Sequence, residues 1–465
     1  MEENRTPLPP PEKHVYTLWE KLALVFALAL GTVFSFVWFG KDADYLSREI
    51  RFFIPVYALF WGIYAAGFCL FNRERAKRPA SVFLLAAAAL LFLRYALYRQ
   101  AETSLLNLLV IPLILMLHAV DCAFDVPAHR EGQYIALYLR GWFGAPFLCI
   151  GRFFGAVAAL FPKGKADEKT KAVRTGILAA LPVVAVAALL LIRADAAMSY
   201  YLSSFLSGLS LGGTVTRLIF ACIVAVVFYS FYYAMTWKKP ETVSAPYQKT
   251  IEGLTGITVL AVLLALYGVF AAFQFTYLTG LAGLPEELTY SEYAVQGFGE
   301  LCAVAGINFT VFSLLHAFTK EHKALCPMLL ALLGATALLL ISALYRLILY
   351  IDAYGLTFKR ILSLWFMGFL IIALVLFARK LKKPQLKLIR TLAMALVLWY
   401  LALSALNIDA IIAKSVLHEA AKAGALRESD ANYLRYQLSA DAKKVLLESP
   451  MKGEIYYDVE PEDLP

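Results

Sequence analysis

The chain is short of charge. Of 465 residues only 17% are Asp, Glu, Lys or Arg, against 61% hydrophobic ones. A soluble domain carries about 25% charged and 45–50% apolar residues, so the deficit excludes a soluble enzyme, a disordered chain and a fibrous repeat. Cysteine is scarce as well. The six (Cys69, Cys122, Cys149, Cys222, Cys302, Cys326) lie in or beside apolar runs and form no CxxC pair, which reads as small buried hydrophobes and not as ligands or disulfides. Catalytic signatures are missing: there is no Walker A loop, no GxGxxG turn and no GxSxG elbow, and His418-Glu419 lacks the second histidine of a zinc-protease helix. No catalytic residue, metal site or cofactor is expected, and the sequence leans away from an enzyme. After the first apolar run comes Lys41-Asp42-Ala43-Asp44 with no small-residue cleavage site, so that run is expected to be retained as a span.

What the chain has is long apolar runs. With about 20 residues needed per crossing, eleven candidate helices fall near Leu22–Phe39, Phe52–Phe71, Ala80–Tyr98, Leu105–Val120, Thr175–Leu191, Leu218–Met235, Ile251–Thr276, Val295–Phe318, Leu325–Tyr350, Ile361–Phe377 and Thr391–Leu406. The expected fold is an all-α polytopic membrane protein. A net charge of +9 would suit nucleic acid if it formed a stripe, but the basic residues are dispersed between apolar runs, which topology explains and nucleic-acid binding does not. Alternate loops are unequal: about 26 Lys and Arg fall in the N-terminal arm and the loops on its side, against about 8 in the opposite loops. That asymmetry predicts a cytoplasmic N-terminus and, with an odd number of spans, a C-terminal tail outside.

The expected domains are an N-terminal arm (1–20), a transmembrane domain (21–406) with a basic cytoplasmic loop (121–174), and an extracytoplasmic tail (407–465). Gly141–Phe161 is apolar enough to be a twelfth span, but Arg152, four glycines and Pro146 argue instead for an interfacial or re-entrant segment. In the tail, Ile408–Ala423 has helical spacing and ends at Gly424. Ser429-Asp430 is expected to start a second helix and Ser439 a third, making a small helical cap.

Charges in or beside spans mark candidate sites, because burying one is costly unless it is paired. The richest zone holds Glu292, Tyr293 and Glu300 at the eighth span, and Arg346, Tyr350, Asp352, Tyr354 and Arg360 across the next outer turn. Arg346 lies about one helical turn from Tyr350, on one face. Glu292 or Glu300 could pair with Arg346 or Arg360, and Asp352 with the remaining cation, lining a cleft for a polar or anionic headgroup. The competing reading is an interhelical lock with tyrosines at an interfacial rim. Arg94 is expected to snorkel beside Arg99. His118 and Asp121 are expected to form an exposed helix end, with a proton relay as the alternative.

At these residues the chain resembles a bacterial family of uncharacterised multi-pass membrane proteins, domain of unknown function 4173, related to 4153. The resemblance rests on Tyr290-Ser-Glu-Tyr293 with Gln296-Gly-Phe298, on Tyr345-Arg346 through Arg360, and on the tail motifs Asn407-Ile-Asp409, Asp430-Ala-Asn-Tyr433 and Leu438-Ser-Ala-Asp441. Val295 and Lys414-Ser415 depart from its pattern. The resemblance implies a bacterial inner-membrane protein, surrounded by membrane lipids, and brings no activity. Two roles follow as expectations: binding or transport of an envelope, lipid-linked or ionic ligand at an outer cleft, or a sensor or scaffold contacting an envelope or signalling partner protein through its tail and basic loop.

Overall fold

The computed structural model describes residues 14–38, 50–160, 212–239, 245–278 and 298–455, with positions 176, 180, 184 and 187 between them. Along these stretches run α1 (Leu18–Trp38), α2 (Ile50–Phe71), α3 (Arg73–Ala76), α4 (Pro79–Leu97), α5 (Ala101–Ala123), α6 (Gly132–Phe143), α7 (Ala145–Leu148), α8 (Ile150–Ala158), α9 (Gly212–Thr236), α10 (Gly253–Leu278), α11 (Phe298–Phe318), α12 (Leu325–Tyr354), α13 (Phe358–Lys382) and α14 (Leu388–Ser404). The tail adds α15 (Ile408–Ala423), α16 (Glu428–Tyr436), α17 (Lys443–Leu447) and α18 (Lys452–Ile455). Among the described residues there is no strand, only an isolated bridge between Ile251 and Thr319.

Nine of these helices are long and apolar enough to cross a membrane; α14 and α15, bent by 58° at their junction, make a tenth when taken together. The protein is a polytopic helical membrane protein. Ten of the eleven expected runs coincide with these helices, whereas Thr175–Leu191 lies outside the described residues apart from positions 176, 180, 184 and 187. Within Gly141–Phe161 the described residues form no continuous helix. Gly144 and Cys149 interrupt it, leaving α6, α7 and α8 of 12, 4 and 9 residues, too short to span about 30 Å.

Two compact units account for the described chain. One comprises residues from Met1–Ser81, Met116–Phe124 and Leu137–Glu241; the other comprises residues from Val82–Leu115, Asp125–Ala136 and Thr242–Pro465. In the first, α1 packs along α9 and against α2. Ala23, Ala27 and Gly31 recur every four residues on α1, and small residues at that spacing let backbones approach closely. A Cβ on Gly31 would stand 2.0 Å from the carbonyl oxygen of Ala221, so only glycine fits. Beside this seam Tyr64, Phe68, Phe231 and Tyr232 form an aromatic core, with the Tyr232 hydroxyl donating to the Tyr64 carbonyl at 3.0 Å.

The second unit is built around α11, α12 and α13. Leu301, Ala305, Phe312 and Leu315 on α11 meet Leu332, Leu340 and Leu347 on α12 and Met367, Leu370 and Phe377 on α13. Inside it, Asn308 accepts from Tyr267 and donates to Thr336 at 2.9 Å. Trp365 and Trp399 exchange indole N–H bonds to each other's carbonyls at 2.8 Å, joining α13 to α14. The tail has its own small core of Ala413, Leu434, Ala442, Leu446 and Ile455. Its expected first helix is α15, capped by Asn407, whose side chain accepts from the Ala410 N–H, and closed by Gly424 at φ 78°. Ser439 caps a 3₁₀ turn leading into α17. The second helix begins at Glu428 after Arg427, not at a Ser429 cap.

Candidate functional site

Three of the expected cluster residues come together. α12 ends in a left-handed Gly355 at φ 76°, a conformation that disfavours a side chain. The last carbonyls of a helix lack intrahelical donors, and Arg360 in the first turn of α13 supplies them. Its Nη1 donates to the Tyr354 carbonyl at 2.6 Å and to that of Gly355. The same guanidinium lies 4.2 Å from the centre of the Tyr350 ring and 5.7 Å from that of Tyr354, a cation–π contact. Among the described residues no carboxylate ion-pairs with Arg360. Glu300 and Asp352 are exposed and Arg346 is half-buried. Glu292 and Tyr293 lie outside the described residues.

The larger polar assembly of the second unit surrounds Arg94, a residue expected to snorkel. Instead Arg94 is only 3% exposed. The reason is helix-end chemistry. α14 stops at Ser404, and the carbonyls left behind need donors: Arg94 Nε donates to Ser404 at 2.8 Å and the Tyr98 hydroxyl to Ala405 at 3.2 Å. α5 begins just after Arg99 and Gln100, whose backbone N–H groups need acceptors. Asp441 of the tail provides one carboxylate oxygen for both, at 2.6 and 3.0 Å. The Gln100 side chain then donates to Asp409 at 2.9 Å and accepts from Arg94 Nη2 at 3.2 Å and from Thr103 at 2.7 Å. The second oxygen of Asp409 takes the Ser439 N–H at 2.9 Å. Buried Asn107 closes the group, accepting from Tyr400 at 2.7 Å and from Ser404 at 3.4 Å.

The donors outnumber the acceptors. Among the described residues Arg94 Nη1 and Asn107 Nδ2 are buried without a hydrogen-bond partner, and no carboxylate ion-pairs with Arg94. Tyr433 of α16 feels charges from both groups. Burial first, then the nearby Asp409 and Glu102 carboxylates, push its phenol above the ordinary value, against the pull of Arg360.

A profile of the family described as domain of unknown function (DUF4153) matches residues 80–449. The chain belongs to the DUF4153 family. No curated protein and no solved structure matches it. The DUF4153 match reaches back to residue 80, well before the motifs near Tyr290 that carry the sequence resemblance, and so takes in Arg94, Gln100 and Asn107 together with Arg360, Asp409 and Asp441.

Elsewhere in this DUF4153 chain the buried polar groups divide: among the described residues His118 Nδ1 and Thr319 Oγ1 also lack a hydrogen-bond partner, whereas Lys380 is fully answered. At the opposite end of α13, Lys380 is 5% exposed. It donates to Glu131, to the Pro384 carbonyl at 3.0 Å and to that of Leu386 at 2.6 Å, while Glu131 accepts the Ile389 N–H at 2.8 Å. In the first unit, His118 and Asp121 are buried and not an exposed helix end. The Cys122 and Cys69 sulfurs lie 3.4 and 3.9 Å from His118 Nε2. Among the described residues no three His, Cys, Asp or Glu side chains could hold a metal ion. All six cysteines are free; Cys69 and Cys302 are half-buried, and Cys222 and Cys326 are exposed instead of buried.

Proposed function

We propose that this DUF4153 protein binds a small anionic group at the Arg94 end of its second unit, and that the tail is the part that responds. The observation that carries the reading is Arg94: a guanidinium 3% exposed, without an ion-pairing carboxylate among the described residues and with one nitrogen unspent, in an assembly whose Asn107, joined to it through Ser404, also has an unspent amide. A buried fixed charge is costly unless a counter-charge meets it. The bonds holding the tail, from Gln100 to Asp409 and from Asp441 to the start of α5, belong to the same assembly, so an occupant at Arg94 bears directly on the tail.

The setting we propose is a bacterial inner membrane, crossed eleven times, with the N-terminus in the cytoplasm, the tail outside and 141–161 lying in the cytoplasmic interface. The positive-inside bias supports that orientation, and the sequence resemblance to family 4173 supports the bacterial setting. Tyr350, Tyr354 and Arg360 stand beside the tail, where a Cβ on Gly355 would meet Glu419 of α15 at 3.4 Å, and serve as the approach to the site. The second reading, a scaffold whose tail docks a partner protein, is favoured by the saturated bonding of Asp409 and Asp441.

The test is a titration of purified protein with chloride and with inorganic phosphate at constant ionic strength, following the unfolding midpoint and protease cleavage in the tail. Saturable stabilisation by either anion, lost in Arg94→Gln, is expected. In Asn107→Asp the site carries its own negative charge, so the anion response should disappear while the protein stays folded. No shift with either anion, or a shift that survives both substitutions, rejects the binding reading and leaves the scaffold.

A further inference from the structure

The first unit holds a separate feature that uses none of these residues. Where α1 begins and α2 and α9 end, a partly open cavity of about 400 Å³ lies between Trp19, Phe71, Arg73, Trp237 and Lys239. Its construction follows from the chain. α2 stops at Phe71, and buried Asn72 fixes the turn, its amide donating to the Phe68 carbonyl at 3.1 Å and to Thr236 at 3.2 Å. Arg75 is committed inward, to the Ala123 carbonyl at 2.7 Å at the end of α5. That leaves Arg73 at the mouth, 5.3 Å from the centre of the Trp19 ring, with the Phe71 and Trp237 rings 5.5 Å apart and tilted by 47° along the wall. The lining contains three cations against one carboxylate, Glu74.

The chemistry is that of a membrane surface. Indoles sit where hydrocarbon gives way to water, and basic cavities between spans at the cytoplasmic face select anionic headgroups. The turn Arg73–Arg78 is the one that loop-charge counting assigns to that face. A free phosphate ion would need the cations alone; the aromatic wall between helix ends suits a ligand with an apolar continuation. We propose that this cavity binds the headgroup of an anionic phospholipid, Arg73 and Lys239 contacting the phosphate and the Trp19 and Trp237 rings flanking the glycerol region.

The experiment uses the full chain reconstituted in phosphatidylcholine vesicles, with brominated phosphatidylglycerol or brominated phosphatidylcholine as tryptophan quencher. Brominated phosphatidylglycerol should quench in excess of its zwitterionic counterpart. Removing each cation, as in Arg73→Gln and Lys239→Gln, should weaken that preference by roughly fivefold. Glu74→Gln should strengthen it, and the excess should vanish in the Trp19→Phe/Trp237→Phe double variant. Equal quenching by both lipids overturns the proposal, as does an excess that survives loss of both cations or is unchanged in Glu74→Gln. Abolition of the excess by inorganic phosphate at constant ionic strength also overturns it, assigning the cavity to a free phosphate ion.

Discussion

Lys380 and Arg94 are both cations at the ends of membrane-spanning helices, 5% and 3% exposed, and they differ in how completely they are answered. Lys380 meets the Glu131 carboxylate and three carbonyls, those of Ala128, Pro384 and Leu386, and Glu131 in turn holds the Ile389 N–H at the start of α14. Among the described residues Arg94 donates only to neutral acceptors, Ser404 and Gln100, and keeps one nitrogen unspent. A charge whose partners all belong to the chain can only fasten helices. A charge left with spare donors fastens helices and still has something to offer from outside. Burial alone, therefore, does not separate glue from site; completeness of the hydrogen-bond shell does.

The sharpest way to break this contrast is at the complete site. Lys380→Ala strands Glu131, 13% exposed, and removing one partner of a buried pair costs about 3–5 kcal/mol. The unfolding midpoint in detergent should drop accordingly, and Lys380→Leu/Glu131→Leu should recover most of the loss. If the single and double variants lose equally, the pair does not lock α13 to its neighbours. At the Arg94 end, Asp441→Ala removes the acceptor shared by the Arg99 and Gln100 N–H groups. A lost helix cap costs about 0.5–2 kcal/mol, and hydrogen exchange should show α15 to α18 opening before α11 to α13. Simultaneous opening would mean that Asp441 does not fasten the tail.

A smaller effect of opposite sign sharpens the comparison. Asn107→Asp places a carboxylate where the Arg94 shell is short of acceptors. An unmatched buried donor costs about 1–3 kcal/mol, so this change should raise the midpoint by roughly 1 kcal/mol in anion-free buffer. Lowered stability would show that Arg94 already has what it needs.

How much of this is legible in the sequence depends on the range of each interaction. Spans are legible because twenty apolar residues are a local signal. So are the caps at Gly424 and Ser439, whose chemistry acts within three residues. Helical spacing places Arg346, not Arg360, on the face of Tyr350; Arg360 belongs to the next helix, and periodicity says nothing about carbonyls at a helix end, so its capping of α12 is invisible in sequence. Arg94 is the plain failure of sequence reasoning. Its acceptor Ser404 is 310 residues away, and a charge near a helix end looks the same in sequence whether it reaches outward or inward. The Lys380–Glu131 pair, 249 residues apart, escapes for the same reason: Lys380 sits in a basic run that topology already explains.

An exposed pair supplies the reference point for both buried sites. Lys249 and Glu321 lie 2.9 Å apart in the second unit, with Glu321 side-chain exposure at 91%. The Lys249 hydrogen bond, then its charge, holds the Glu321 carboxyl below its ordinary value. A carboxyl lowered in the folded state stabilises fully above its unfolded pKa, and that contribution is lost as pH falls through the lowered folded value. Water and salt screen such a pair strongly. Glu321→Gln should therefore shift the midpoint slightly at neutral pH and low salt. The shift should vanish on acidification and again in high salt, whereas the losses in Lys380→Ala should persist in high salt. If Glu321→Gln rivals Lys380→Ala at neutral pH, exposure has not weakened the pair, and a buried, fully answered charge holds the helices no better than one at the surface.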